Sequence, residues 1–530
     1  MKTGYPRFFV PRVVDKLAIQ LLEIVQSGNG MKVNDRLIGL GKTEGKLAML
    51  LDTPRHAQMC RKSLPMWHTT DSTSPADIEV HIVSWDGTFT TLEEGAPAAE
   101  LERAETIGEE DVLLISYPAE FALAAKAFWQ HTGFGISSRR ATHWLEHAPF
   151  LATSTIPTPP STPLEISLKV DQAKAELKSR IAAGLSPPSS NIHVSSSDVF
   201  LFPTGMTAIT ETADAIKSLR APTPSSPYRV AVFGFLYVDT YKTLSRVLNL
   251  TPTLYKYSSA DISAFEALLS SPSRPRFDAL FTEFPGNPLL QSPDLSRLHA
   301  LARKHNFVLV VDDTVGTYAS LSLIGECDVL CTSLTKMFSG QCNAMGGAAT
   351  LNPRSPHYAA LRRGLLSKRG EDEAAERAWF WRDVITMEGN SRDFEARVYR
   401  ASGNAEMVAG MLRASESVRE VYYPKGGPTQ DVYDRYRLPG GRYGFLLSVR
   451  FATKEKAVAF YDALDVAKGP SLGTNFTLCC AYTLLAHYKE LEWAAEYGVV
   501  EDLVRISVGL EERGWLEERV GRALSVAEGR

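Results

Sequence analysis

No cysteine in this chain stands in a CxxC pair, and none of the six present has a histidine at metal-ligand spacing. The signature of a zinc site is therefore absent, and the adjacent Cys479-Cys480 suits reduced, buried thiols better than a disulfide framework. There is no basic tail or arginine-rich run: 57 Lys and Arg against 61 Asp and Glu leave a net charge of −4. Nucleic acid is not an expected partner. No apolar stretch approaches the ~18 residues of a membrane span, so no membrane partner is expected either. The N-terminus, MKTGYPRFFVPRVVDKLA, is broken by prolines and charges. No secretory signal is visible in it, and the sequons at Asn249 and Asn475 are expected to stay idle. The expected location is cytoplasmic. What is present is ordinary globular composition, 530 residues with 44% apolar and 22% charged, enough for two or three domains and a large core.

Three stretches rich in Pro, Ser and Thr, at 152–163, 185–191 and 221–227, read as linkers or surface loops. The first sets off an N-terminal region, 1–150. A domain over 165–390 and a smaller α+β domain over 391–530 are expected to follow. GYPRF (4–8) and HTGFGISSRR (131–140) both look like openings to helices. After residue 200, strands and helices alternate. RVAVFGF (229–235), FDALFTEF (277–284), FVLVVDD (307–313) and CDVLCTS (327–333) are apolar strand candidates. A helix is expected over 294–305, capped by Asp294, with Leu295, Leu298, Leu301 and Ala302 on one face. Apolar strands separated by helices predict an α/β fold with a mostly parallel sheet. Ligands in such folds gather at the carboxyl ends of the strands, where Asp312 and Lys336 both fall.

Two apparent motifs fail. In GLGKTEGK (39–46), Arg36 occupies the position where a phosphate-binding P-loop needs its first glycine. His487 and Glu490 in HYKELEW lack the second histidine of a zinc protease. Other stretches carry more. In CTSLTKMFSGQCNAMGG (331–347), Lys336 is the only charged residue, among Ser333, Thr335 and several glycines. Small residues admit something bulky, and hydroxyls donate well to an anion. In FPTGMTAI (202–209), Thr204 can cap a helix whose first amides, Gly205 and Met206, suit a phosphate. Asp312 ends a buried strand, where a carboxylate is costly unless it meets a positive group such as a protonated ring nitrogen. A metal at Asp312 and Asp313 is the alternative, though no further ligands complete it. Tyr237 sits just past a strand end, where its ring could stack on a flat cofactor.

An amine, phosphate donors, a carboxylate and an aromatic lid are the needs of pyridoxal 5′-phosphate (PLP). With FPTGMTAI, YVDTY, FTEFPGNPLL, VVDDTVG, SLTKMFSG, NAMGG, GPSLGTNFTL, LLAHY and LVRISVGLE in this order, the chain resembles the Cys/Met-metabolism family of fold-type I PLP enzymes, in its fungal cystathionine γ-synthase branch. The resemblance implies a PLP-dependent transferase with a mostly parallel large domain and a smaller C-terminal one. Lys336 would form the Schiff base. Ser333, Thr335 and the amides of Gly205 and Met206 would hold the phosphate. Asp312 would pair with the ring nitrogen, Tyr237 would stack on the ring and Asn287 would approach the 3′-oxygen. Arg505, with Ser471 nearby, would bind the substrate α-carboxylate. A Tyr-x-Arg pair reaching a neighbouring subunit's phosphate could come from Tyr5 and Arg7 or from the 131–140 stretch, in a homodimer or homotetramer.

The implied reaction is γ-replacement on an O-acetyl- or O-succinylhomoserine through a vinylglycine ketimine intermediate. With cysteine as nucleophile, the product is cystathionine. The sequence departs from the fungal pattern at Gly286, where Ser or Thr is usual, at Gln341 and at Ala481. If the last two lie in the pocket, losing an acidic or histidine side chain and a proline would leave it larger and less ionic, favouring an uncharged or carbon nucleophile over cysteine. The departures together fit a specialised enzyme adding a carbon or nitrogen nucleophile at Cγ. A PLP-free scaffold would need Lys336 to be incidental.

Overall fold

A computed structural model describes residues 9–27, 45–67, 77–92, 110–151, 163–188, 191–224, 226–367 and 378–530. GYPRF and most of the first Pro/Ser/Thr stretch lie outside them. The described residues form two compact units.

The first unit takes the chain up to Lys174 together with 202–207 and 366–386. Its centre is an antiparallel sheet in the order β1 (Lys46–Leu51), β4 (Val112–Pro118), β2 (Glu79–Val83), β3 (Phe89–Leu92). The inner strand β4, VLLISYP, is buried at its first six residues, as an apolar run covered on both faces should be. Val14, Leu17, Ala18 and Leu21 of the helix Arg12–Ser27 repeat at helical spacing and share a core with Leu50, Leu114 and Trp144. Within HTGFGISSRR the expected helix does open: the Ser137 hydroxyl accepts from the Arg140 amide at 3.1 Å, and the helix runs Ser138–His147.

The second unit holds a seven-stranded sheet. Its order is β5 (Val199–Phe202), β11 (Gly347–Leu351), β10 (Val329–Thr332), β9 (Val308–Asp312), β8 (Ala279–Glu283), β6 (Arg229–Phe233), β7 (Thr251–Tyr255). From β10 to β7 every pair is parallel, and β11 runs antiparallel to β10. All four apolar runs named as strand candidates are strands. The helix Leu295–His305 starts where expected, with the Asp294 carboxylate accepting from Arg297 N at 3.2 Å, and buries Leu295, Leu298, Leu301 and Ala302.

The same unit contains a five-stranded sheet, ordered β12 (Val418–Tyr422), β13 (Leu446–Phe451), β16 (Val504–Ser507), β15 (Leu478–Ala481), β14 (Ala467–Lys468). Only its β14–β15 pair is parallel. The fold class is thus α/β, with a mostly parallel large sheet and a smaller second sheet. All six cysteines are unpaired, five of them buried. Among the described residues no helix is long and apolar enough to cross a membrane.

Candidate active site

Parallel pairing brings the carboxyl ends of β6, β8, β9 and β10 to one edge of the large sheet. In register, Phe233 pairs with Thr282, Glu283 with Asp312, and Asp312 with Cys331. Asp312 and Glu283 are therefore adjacent carboxylates, and neither has an ion pair with a lysine or arginine within 4.0 Å among the described residues. Burial pushes both upward, and for Glu283 burial and then the charge of Asp312 together bring it to about 8. Asp312 Oδ1 accepts from Thr314 N at 2.9 Å. Glu283 accepts two backbone amides, Tyr237 N at 2.6 Å and Asn287 N at 3.1 Å. One carboxylate thereby fixes the backbone of both residues expected around the cofactor ring. Tyr237 keeps 38% of its surface exposed, as a stacking platform must.

Lys336 lies in the turn after β10, half-buried, with Nζ donating to Ser471 Oγ at 3.4 Å. Burial first, then the like charge of Arg505, lowers its pKa to about 8. The turn is tightly held. A Cβ on Gly473, whose φ is +68°, would lie 2.5 Å from Met337 N and 2.9 Å from Lys336 Cβ, so only glycine fits there. Arg397, 4% exposed, uses all five of its N–H donors. They reach Met337 O, Phe338 O, Asn390 O, Asn475 Oδ1 and Asp393 Oδ1 at 2.6–3.2 Å, fastening the lysine turn to the 475 loop.

Arg505, 3% exposed on β16, donates to Asn287 Oδ1 at 3.0 Å, Ser471 O at 3.0 Å and Pro470 O at 2.5 Å. No carboxylate pairs with it within 4.0 Å among the described residues. A buried guanidinium without a counter-ion is unfavourable unless a ligand brings the anion. Hydrogen bonds thus join Lys336, Ser471, Arg505, Asn287, Glu283 and Tyr237 in one chain, with Asp312 on the neighbouring strand.

The expected phosphate donors differ among themselves. Thr335 Oγ1 is engaged with Gly346, donating to its O at 3.2 Å and accepting its N at 3.1 Å. Ser333 gives its backbone N to Thr314 Oγ1 at 2.8 Å. Gly205 and Met206 belong to the first unit and open the helix Gly205–Lys217. Thr204 Oγ1 accepts from Thr207 N at 3.0 Å, so its cap serves neither of those two amides.

These residues fit PLP. The second unit presents a lysine amine of lowered pKa, a raised carboxylate without a basic partner within 4.0 Å at a strand end, and an exposed tyrosine. Such a set defines a PLP enzyme of fold type I. The chain belongs to the Cys/Met metabolism PLP-dependent enzymes, whose profile matches residues 193–525. The N-terminal domain of fungal trans-sulfuration enzymes matches residues 15–137. Its cofactor is pyridoxal 5′-phosphate. A cystathionine γ-synthase of Neurospora crassa is 36% identical over all of this chain and 92% of its own. A cystathionine γ-synthase-like protein of Aspergillus thermomutatus is 40% identical over 76% of this chain and 71% of its own. The fold is that of cystathionine γ-synthase from Xanthomonas oryzae pv. oryzae, with TM-score 0.56 and 22% identity over 68% of this chain and 88% of that one.

At Gly286 the space a side chain would take is filled by Tyr257. A Cβ at 286 would lie 2.2 Å from Tyr257 Oη, and one at Gly234 would lie 1.9 Å from Tyr257 Cζ. Gln341 is exposed, and Ala481 is half-buried at the end of β15, where it caps the short helix Tyr482–Ala486. Sequence reasoning missed Glu283 and Arg397. Glu283 carried a usable signal, an acid closing an apolar strand as Asp312 does. Arg397 sits in a helix of mixed composition and carried none.

Proposed function

We propose that the protein replaces the γ-acyloxy group of an O-acyl-L-homoserine, acetyl or succinyl, with the thiol of cysteine, forming cystathionine. Arg505 carries this reading: a buried guanidinium without an acidic partner, joined through Ser471 to the Lys336 amine. A substrate bound there by its α-carboxylate is held beside that amine by a charge-assisted pair. PLP, when bound, supplies the electron sink that makes the substrate's Cα and Cβ protons acidic. Lys336, with its pKa near 8, takes the α-proton and returns one after replacement, because its amine is poised near working pH. Asp312 would hold the ring nitrogen, Tyr237 stack on the ring and Asn287 approach the 3′-oxygen. Ser333, Thr335 and the amides of Gly205 and Met206 would hold the phosphate. At the substrate's Cγ the C–O bond breaks, the acid leaves and a C–S bond forms.

Arg139 pairs with Asp383, and Arg140 with Asp52 at 3.3 Å, so both arginines of the 131–140 stretch are engaged inside the first unit. That favours Tyr5 and Arg7, which lie outside the described residues, as the pair given to a neighbouring subunit's phosphate. On this reading residues 1–150 serve the subunit interface of a cytoplasmic homodimer or homotetramer, 165–390 bind the cofactor and 391–530 form the small domain.

The test is incubation of PLP-loaded enzyme with O-acetyl- or O-succinylhomoserine and cysteine, with products separated by mass. Cystathionine as the main product is expected, and release of an α-keto acid in its place would overturn the reading. A second reading, a carbon or nitrogen nucleophile, is favoured by the similarity to cystathionine γ-synthase-like proteins of Aspergillus thermomutatus and Amanita muscaria. Competition of equal cysteine and a β-keto ester for O-acetylhomoserine separates the two.

A further inference from the structure

The ring of Tyr482 lies under the Arg505 guanidinium, 4.7 Å from centroid to Cζ. Tyr482 is 5% exposed and follows Ala481 at the end of β15, where its backbone N donates to Leu503 O at 3.1 Å. Its position is thus set by an extension of the β15–β16 ladder that also carries Arg505. The hydroxyl lies 3.5 Å from His487 Nε2. His487 is 1% exposed, packed against Phe235 and Trp493, and its other ring nitrogen faces Glu490 at 3.4 Å. Burial raises the Tyr482 phenol above the ordinary tyrosine range, so it stays a neutral O–H. On its edge Arg505 meets carbonyl and amide oxygens and the Cys480 thiol, and among the described residues its face meets this one aromatic ring. A π-face attracts a guanidinium and fixes its plane without consuming its N–H donors. An acidic partner in the same place would compete with an incoming carboxylate.

We propose that Tyr482 is a positioning residue that orients Arg505 for the α-carboxylate of the amino-acid substrate. The proposal rests on the reading that Arg505 binds that carboxylate. It assigns a role to the otherwise unexplained segment AYTLLAHY: the ring sets the guanidinium plane.

The test compares Tyr482→Leu, Tyr482→Phe, Tyr482→Trp and Arg505→Lys, each loaded with PLP, in steady-state kinetics with O-acetylhomoserine. For Tyr482→Leu a roughly tenfold rise in KM is expected, with kcat, PLP content and the cofactor's absorbance within twofold of the parent. Tyr482→Phe and Tyr482→Trp keep an aromatic face and should restore KM to within about threefold. Where Tyr482→Leu does not fold, the aromatic pair decides: a tenfold higher KM in both overturns the proposal. An unchanged KM in Tyr482→Leu beside a raised KM in Arg505→Lys also overturns it. An unchanged KM in both of those variants instead overturns the assignment of Arg505, and the proposal with it.

Discussion

Gly286→Ser introduces the side chain that the family resemblance implies at this position, and in this chain it should be harmful. The glycine's φ lies outside the left-handed region, so its backbone accepts any residue, and the difficulty is space alone. A Cβ at 286 would lie 2.2 Å from Tyr257 Oη and 2.7 Å from Tyr257 Cε2. The ring cannot retreat toward residue 234, where a Cβ would itself come within 1.9 Å of Tyr257 Cζ. Overpacking of this kind costs about 1–3 kcal/mol. Tyr257→Leu removes the obstructing ring and leaves a void, at a cost of similar size. The double variant should be better than the sum of the two losses by at least about 1 kcal/mol, the coupling expected of residues in contact. Urea unfolding of the four proteins, compared at unchanged m-values, measures this cycle. Additivity within about 0.5 kcal/mol, or a Gly286→Ser variant as stable as the parent, would refute the steric argument.

Lys336→Ala should abolish turnover and the Schiff-base absorbance, since no other amine among the described residues is placed for the bond; borohydride-trappable cofactor retained in the variant would contradict this. Asp312→Asn should bind PLP but lose most activity, because a neutral amide cannot keep a ring nitrogen protonated; an unimpaired rate would give the role to another acid, Glu283 being the nearest candidate. Arg505→Ala should weaken substrate binding by roughly 2–5 kcal/mol, as when one partner of a buried charge pair is removed, with cofactor content unchanged; loss of cofactor would assign Arg505 to the fold. Burial and Arg505 lower the Lys336 pKa to about 8, and only the neutral amine is nucleophilic. Cofactor uptake by the apoprotein, followed by absorbance, should therefore accelerate from pH 7 to 9 and level off above. A rate that falls over this range would show that another group controls it.

The large sheet was legible because its strands are covered on both faces, which makes them continuous apolar runs a few residues long. FVLVVDD became β9 and CDVLCTS became β10, each trimmed at its ends. The four-stranded sheet of the first unit was not read, although β4, VLLISYP, carries the same signature. Its partners obscured it: β3, FTTL, exposes both threonines, and β1 and β2 are bordered by polar segments that look like loops. A single apolar run does not announce a sheet when its neighbours lack the pattern.

The site was legible where one residue violates its surroundings and illegible where two residues resolve each other's cost. Lys336 among small residues and Asp312 at the end of a buried strand are violations, visible from composition alone. Arg505 is likewise a charge in an apolar strand, LVRIS, and was found through resemblance. Its partners are not visible in sequence: Asn287 and Ser471 satisfy its edge and Tyr482 its face, from segments far apart in the chain. The same holds for Gly286. Seen alone, a missing side chain gives no sign of what stands in its place. With Tyr257 in the space, the absence of a side chain becomes the condition for packing that ring. The departure therefore bears on the packing beside Asn287 and gives no support to a larger substrate pocket.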